Sequence, residues 1–421
     1  MRSLAIPQHR SRMSPGWALA AALGMAVVPS PGCEPGDSGA ADPGRGTDPP
    51  GTCEPAPATC EEDEVVACID GAVQRTDCGA EAYCNGGRCE PTSIRFPRDA
   101  GIHAERTEWW YYTGHLRDGN REWGFQVTIF QYDFTEMFGT PGLGWMCHVG
   151  VVDLEAGEHF HADTISLAPA TWSQDPIDLQ VDFCRLEIGG DGRDRIRGEI
   201  PQGKEKDGKA SPWAFDLVLE PRKRPARHGT DGIIPMADSG GTSWYYSFTR
   251  LQAQGTLSTP SGEHAVTGQA WMDHQWGDFD MQDFKGWDWW SMQFDDGWEV
   301  MLFQFTDWDG VLCLKAGTLV APDGTLTPLE GMDAFTITPR RHWTSPHSGG
   351  IYPLDWDVVI PQGDWRISVV TSVEDQEMHN LAQNYWEGQT RLSGTAGGRV
   401  LSGEGYTELT GYAVDALDPP R

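Results

Sequence analysis

The sequence predicts an all-β protein whose bulk is two similar β domains in tandem. Three observations carry this. Short runs rich in aromatic and β-branched residues recur from Ile94 onward, at 109–116, 123–130, 213–219, 244–251, 268–276, 287–294 and 298–305. Tight-turn sequences such as Arg117-Asp118-Gly119-Asn120, Asp295-Asp296-Gly297 and Pro322-Asp323-Gly324 separate runs of this kind, and no stretch keeps a helical apolar period for more than a turn or two. The chain also echoes itself. Trp109-Trp110-Tyr111-Tyr112 aligns with Trp287-Asp288-Trp289-Trp290 at an offset of 178, and Phe130-Gln131 with Phe303-Gln304 at an offset of 173.

Composition agrees. The 421 residues include 19 Trp, and disordered chains are poor in aromatics, so most of this chain folds around those rings. Gly (51) and Pro (29) favour turns over long helices. Asp+Glu total 62 against 31 Lys+Arg, a net charge of −31 that repels phosphate backbones and excludes a nucleic-acid binder.

The elements follow in order. Arg2, Arg10 and Arg12 precede the uncharged run Trp17 to Val28. As a helix it spans about 18 Å, too short for about 30 Å of hydrocarbon. With the small-residue exit Pro29-Ser30-Pro31-Gly32, residues 1–32 read as a secretory signal, and the protein is expected in the cell envelope or outside it. Cys33 admits a lipid tether to the membrane, with ordinary cleavage as the alternative. Residues 33–52 are a Pro/Gly-rich linker. Cys53, Cys60, Cys68, Cys78, Cys84 and Cys89 then mark a small disulfide-rich module over 53–90; a zinc site there would lack both a Cys-x-x-Cys pair and any intervening His. Cys147, Cys184 and Cys313 remain, an odd number that leaves at least one thiol.

Strand parity narrows the chemistry. Along 268–276, Ala270, Met272, His274 and Trp276 share one face, while Gln269, Trp271, Asp273 and Gln275 share the other. An apolar face holding one histidine suits a barrel interior with a polar anchor, or a hydrogen-bonded core histidine. His148, in 145–153, is a second histidine in an apolar strand. Glu108, before Trp109, and Asp288, between Trp287 and Trp289, are carboxylates flanked by rings. Burial there raises a carboxyl pKa and makes a general acid, whereas an edge position in water leaves it ordinary. No Gly-x-Ser-x-Gly, His-Glu-x-x-His, phosphate-cradling loop or tight metal-ligand spacing occurs, so no metal and no cofactor are expected.

Glu108-Trp109-Trp110-Tyr111-Tyr112-Thr113-Gly114-His115-Leu116, Tyr245-Tyr246-Ser247-Phe248-Thr249-Arg250-Leu251, Trp271-Met272-Asp273-His274-Gln275-Trp276-Gly277 and Gly286-Trp287-Asp288-Trp289 together resemble the AttH-like proteins. These are related to hydroxyneurosporene synthase, a carotenoid hydratase, and are often labelled secreted hydrolases. The resemblance spans 96–421 and implies two tandem lipocalin-like (calycin-type) β-barrels, 96–278 and 279–421. His274 and Trp276 match positions implicated in the hydratases, which protonate an isolated alkene and add water to the cation. Together with the strand reading, this makes His274, Asp273 and Asp288 the expected catalytic residues and Trp276, His148, Trp110, Tyr112 and Trp289 the expected ligand-binding ones. The resemblance also implies an acid on the strand after the motif, where Met301-Leu302-Phe303-Gln304-Phe305 supplies none. The expected function is an exported hydrolase, hydratase or cyclase acting on an apolar small molecule in a barrel pocket. The alternative is a carrier of a lipophilic ligand without chemistry.

Overall fold

The computed structural model describes residues 59–413, except 62–63, 70–71, 78–81, 86–87, 92–93, 120, 134–141, 170, 175, 190–192, 202–212, 237–240 and 381–382. The expected signal, linker and Cys33 lie outside these residues. In the cysteine-rich segment, β1 (Thr59–Glu61), β2 (Glu64–Ile69) and β3 (Ala72–Asp77) form an antiparallel sheet; β4 (Ala82–Asn85) and β5 (Arg88–Pro91) form a hairpin. Cys68 is disulfide-bonded. The side chains of the other five cysteines lie outside the described residues.

The first large sheet contains β6 (Thr107–Asp118), β7 (Arg121–Asp133), β8 (Leu143–Asp153), β9 (Glu158–Ser166), β10 (Thr171–Gln174), β11 (Ile177–Val181), β12 (Cys184–Ile188), β13 (Asp194–Ile200), β14 (Trp213–Pro221), the short β15 (Ala226–Arg227) and β16 (Ile233–Pro235), β17 (Thr242–Thr259) and β18 (Gly262–Gly277). Its antiparallel order is β10-β11-β12-β13-β14-β17-β18-β6-β7-β8-β9. The second contains β19 (Gly286–Phe294), β20 (Glu299–Thr306), β21 (Leu312–Val320), β22 (Leu326–Glu330), β23 (Thr336–Thr344), β24 (Ile351–Ile360), β25 (Trp365–Thr371), β26 (Glu377–His379), β27 (Asn384–Ala396) and β28 (Arg399–Leu409). Its order is β22-β21-β20-β19-β28-β27-β25-β24-β23.

The two orders match. In each sheet the last strand returns to pair with the first, so β6, β7, β17 and β18 correspond to β19, β20, β27 and β28. The echoing segments are equivalent hairpins, turned at Gly119 and Gly297, whose φ of 60° and 86° suits a residue without Cβ. Trp109 pairs with Phe130 and Trp287 with Phe305, which shifts the second strands by two residues from the alignment of Phe130 with Phe303.

Each sheet curls into a half-barrel around its own core. Trp110, Tyr112, Phe125, Leu217, Met272 and Trp276 fill the first, and Trp290, Phe294, Trp356, Trp365 and Trp386 the second. In the first, β11–β13 pack across onto β7–β9, and a Cys147–Cys184 disulfide joins β8 to β12 over a Cα–Cα distance of 5.9 Å. Cys313 keeps its thiol, which donates to the Phe305 carbonyl at 3.6 Å.

The sheets meet on their outer faces through Tyr111, Tyr245, Trp271, Trp289, Met301, Phe303 and Tyr406. Polar ties cross the same seam. Gln293 Nε2 donates to the carbonyls of Thr249 (2.8 Å) and Ala270 (3.0 Å), and fully buried Glu299 is paired with both Lys223 (2.6 Å) and Arg250 (2.5 Å). The buried carboxylate is thereby paired, and the two cations also donate to the carbonyls of Gly297, Ala321 and Phe294, the hydrogen bonding that lets a buried ion pair be tolerated.

Candidate active site

Pleat alternation decides what each residue of β18 meets. Met272, His274 and Trp276 point into the first core; Trp271, Asp273 and Gln275 point toward the second sheet. A cavity of about 160 Å³ opens on this second side, a volume suited to a single ring. The equivalent hairpins wall it, with Trp109, Tyr111 and Phe130 on one side and Trp287, Trp289, Phe303 and Phe305 on the other. The pocket expected inside a barrel therefore lies in the seam between two sheets, because rings already fill the inside of each curl.

His274 consequently does not line the cavity. It is fully buried, 4.7 Å from the Trp110 ring and 4.8 Å from the Trp276 ring. Burial pushes Glu108 up, but hydrogen bonds from His103 (2.6 Å) and His274 (2.9 Å) outweigh it and keep the carboxyl below its usual range. An ionised Glu108 only accepts, so His274 Nε2 carries a proton and Nδ1 accepts from the Tyr246 hydroxyl at 3.1 Å. Burial lowers His274 to about 4, so the ring is neutral. Trp110 and Tyr112 are likewise core residues, donating to the Ala100 carbonyl (3.1 Å) and Asp194 Oδ2 (2.9 Å), and Trp276 stacks on His103 at 4.1 Å. Expected to bind ligand, these three pack in the first core and none lines the cavity.

Asp273 does face it. Tyr245 Oη (2.8 Å), Trp271 Nε1 (2.6 Å) and Ser247 Oγ donate to its carboxylate, yet burial outweighs all three and raises it to about 7. Trp289, across the seam, donates its indole N–H to the same Tyr245 oxygen at 3.1 Å. His148 and Trp289 also line the cavity. His148 meets Tyr385 Oη at 2.9 Å, and burial, helped by the charge of His161, lowers it to about 3, so the ring is neutral near pH 7. Asp288 points away from the cavity, bonded to Tyr412 (2.9 Å) and Gln304 (2.9 Å), and burial raises it to about 6.

Two acids that sequence reasoning did not single out complete the site. Glu408 on β28 lines the cavity and accepts from Trp287 Nε1 and from Glu387 on β27. Burial raises Glu408 to about 7, and burial plus the charge of Glu408 drives Glu387 well above the usual carboxyl range. Glu387 thus holds the shared proton, and Tyr111 reaches across the seam to donate to its Oε1 at 2.5 Å. Asp273 pairs in register with Tyr111, and Glu408 with Trp289, the residue equivalent to Tyr111. Asp273 and Glu408 are therefore topological counterparts facing one cavity. The available signal was an aromatic two residues before each acid, Trp271 and Tyr406.

His103, Glu108 and His274 place one ligand atom each within 4.8 Å of one another. They can hold a metal only by giving up the hydrogen bonds that both histidines make to Glu108. Their separations in sequence explain why ligand spacing did not reveal them.

The AttH-like family model matches residues 88–412. The chain belongs to the AttH-like family. Among solved structures, this AttH-like chain is similar to a protein from Nitrosomonas europaea assigned as AttH, with 28% identity over 76% of this chain and 97% of that one and a TM-score of 0.66. It shares its fold with kievitone hydratase from Nectria haematococca at 17% identity, over 75% of this chain and 92% of that one, with a TM-score of 0.59. No curated protein matches the AttH-like chain in sequence.

Proposed function

We propose that the protein is an acid–base enzyme of the hydratase type, acting on an apolar small molecule held between the two sheets. One observation carries this. Asp273 and Glu408 occupy equivalent positions on opposite walls of an aromatic cavity, and each titrates near 7. Near neutral pH one can hold a proton while the other is ionised, the pairing that acid–base catalysis needs. Asp273 transfers its proton to an alkene carbon and becomes a carboxylate. The faces of Trp109, Trp287 and Trp289 steady the resulting cation, a contact of about 2 kcal/mol when desolvated. Water adds to the cation and passes a proton to Glu408, and exchange with solvent resets both groups. Membership of the AttH-like family supports this reading; kievitone hydratase supports the fold, and the geometry supports the chemistry.

The test is incubation of the purified protein with a panel of apolar alkenes, free and phenol-bearing, in ¹⁸O-labelled water. Products carrying one added labelled water are expected. Retention of bound, unaltered alkenes across the panel would instead make the protein a carrier, which the apolar lining also suits.

A further inference from the structure

On the core side of β18, opposite the cavity, three side chains from separate parts of the chain meet. His103 comes from the stretch that leads from the cysteine-rich segment into β6, just after a single 3₁₀ turn at Arg98–Ala100. Glu108 is on β6, and His274 is on β18, its neighbour in the sheet. His103 Nδ1 and His274 Nε2 both approach one oxygen, Glu108 Oε1, at 2.6 and 2.9 Å. Among the described residues, no other group of three His, Cys, Asp or Glu brings its ligand atoms together in this way. Ligand atoms of a tetrahedral zinc ion, each about 2.0–2.1 Å from the metal, stand about 3.3 Å from one another. Each histidine–carboxylate pair therefore needs to open by less than about 1 Å to admit an ion.

The remaining polar atom of each residue is already held. Glu108 Oε2 accepts from the His103 backbone N–H at 2.9 Å, and His274 Nδ1 meets Tyr246 Oη at 3.1 Å. His103 Nε2 faces Asp99 Oδ1 at 3.5 Å, and Asp99 is itself fixed by the Arg95 backbone N–H at 2.7 Å and by the Arg98 guanidinium. One atom of each residue is thus left for a common centre. An outer partner on each ring, a carboxylate on one and a hydroxyl on the other, is the arrangement that orients metal-bound histidines. Trp276 stacks on His103 at 4.1 Å and Trp110 on His274 at 4.7 Å, which encloses the centre in apolar rings. The His103 side chain is 15% exposed while those of Glu108 and His274 are fully buried, so an ion enters past His103.

We propose that His103, Glu108 and His274 bind a divalent transition-metal ion of the zinc class. Two imidazoles and one carboxylate suit zinc better than magnesium or calcium, which take oxygen ligands. The ion replaces the two hydrogen bonds at Glu108 Oε1. Each ring then carries its single proton on the outer nitrogen, His103 on Nε2 toward Asp99 and His274 on Nδ1 toward the Tyr246 oxygen. Bound there, the ion pins the stretch 95–103 to β6 and β18 and braces the first core from the side away from the cavity. The acids of the seam take no part in it.

Zinc titration of the whole, chelator-treated protein under non-reducing conditions, by calorimetry and thermal unfolding, tests this. One zinc per chain and a rise in melting temperature are expected. Co²⁺ in its place should give the visible absorption bands of a four-coordinate site, and Mg²⁺ should give no response. His103→Ala should abolish both zinc signals. Asp99→Asn, which leaves all three ligands in place, should weaken zinc about tenfold or more, as loss of an orienting carboxylate does elsewhere. His379→Ala should bind as the parent does; it removes another close histidine pair, in which His161 Nε2 lies 3.0 Å from His379 Nδ1. Undiminished binding in His103→Ala, loss of binding in His379→Ala, or absence of binding to the parent would each overturn the proposal. Should His103→Ala fail to fold, Asp99→Asn decides, and an affinity equal to the parent's overturns it.

Discussion

Asp273 and His274 are consecutive in the chain and lie on opposite sides of β18, one facing the cavity and the other sealed in the first core. Substitutions at the two should therefore fail in different ways. Asp273→Asn keeps size and polarity and should lower kcat/KM by roughly 10²–10⁴ with a melting temperature near the parent's. His274→Ala empties a space between Trp110 and Trp276 and takes a donor from buried Glu108, at a cost of about 3 kcal/mol or more in urea unfolding. A His274→Ala protein of normal stability and no turnover would move the chemistry to the core side.

The raised carboxyls set a pH dependence. Folded Asp273 and Glu408 keep protons to about pH 7, whereas the unfolded groups release theirs near 3.8 and 4.5. In that window the folded state binds more protons, so these two groups make stability fall as pH rises from about 4 to about 7. The melting temperature of Glu408→Gln should lose part of that decline and exceed the parent's at pH 8. Identical pH profiles for variant and parent would show that Glu408 is ionised throughout. Turnover should peak near neutrality, with flanks that belong to the coupled acids as a set.

Much of this was legible in the sequence. Aromatic strands and Gly turns gave the all-β class, the echo gave the equivalent hairpins, and parity separated Asp273 from His274. Which face of β18 met the cavity was not legible, because both neighbours of His274, Met272 and Trp276, are as apolar as a pocket lining. Glu387 and Glu408 were missed for another reason. They reach Asp273 only through the seam between sheets, and no local pattern encodes how two outer faces pack. Cys147 and Cys184 likewise meet only because the first sheet curls.

That disulfide should matter to stability more than to chemistry. It closes a sequence separation of 37 residues, for which chain entropy gives about 3–4 kcal/mol. Cys184→Ser should lower the melting temperature, and reductant should lower the parent's more than the variant's. Insensitivity of the parent to reductant under unfolding conditions would argue against the bond.

Tyr111→Phe removes one hydroxyl that joins the sheets and takes a donor from Glu387. A loss of about 1–3 kcal/mol is expected, because the carboxyl stays buried with one partner fewer. The hydroxyl favours the ionised form of Glu387, so its loss should also fix the proton there more firmly. Carboxyl stretching bands in infrared spectra report this directly. Unchanged bands together with unchanged stability would mean that the two side chains do not meet in solution.

Each curled sheet holds one of the two raised acids that face the cavity, so the gap between them is a property of sheet spacing. Met301 and Gln293 act as shims in that spacing, since one packs and the other bonds across the seam. A methylene added or removed at either would change how far Asp273 stands from Glu408 while leaving both untouched. If the proposed chemistry holds, its reach is set by the thickness of that joint.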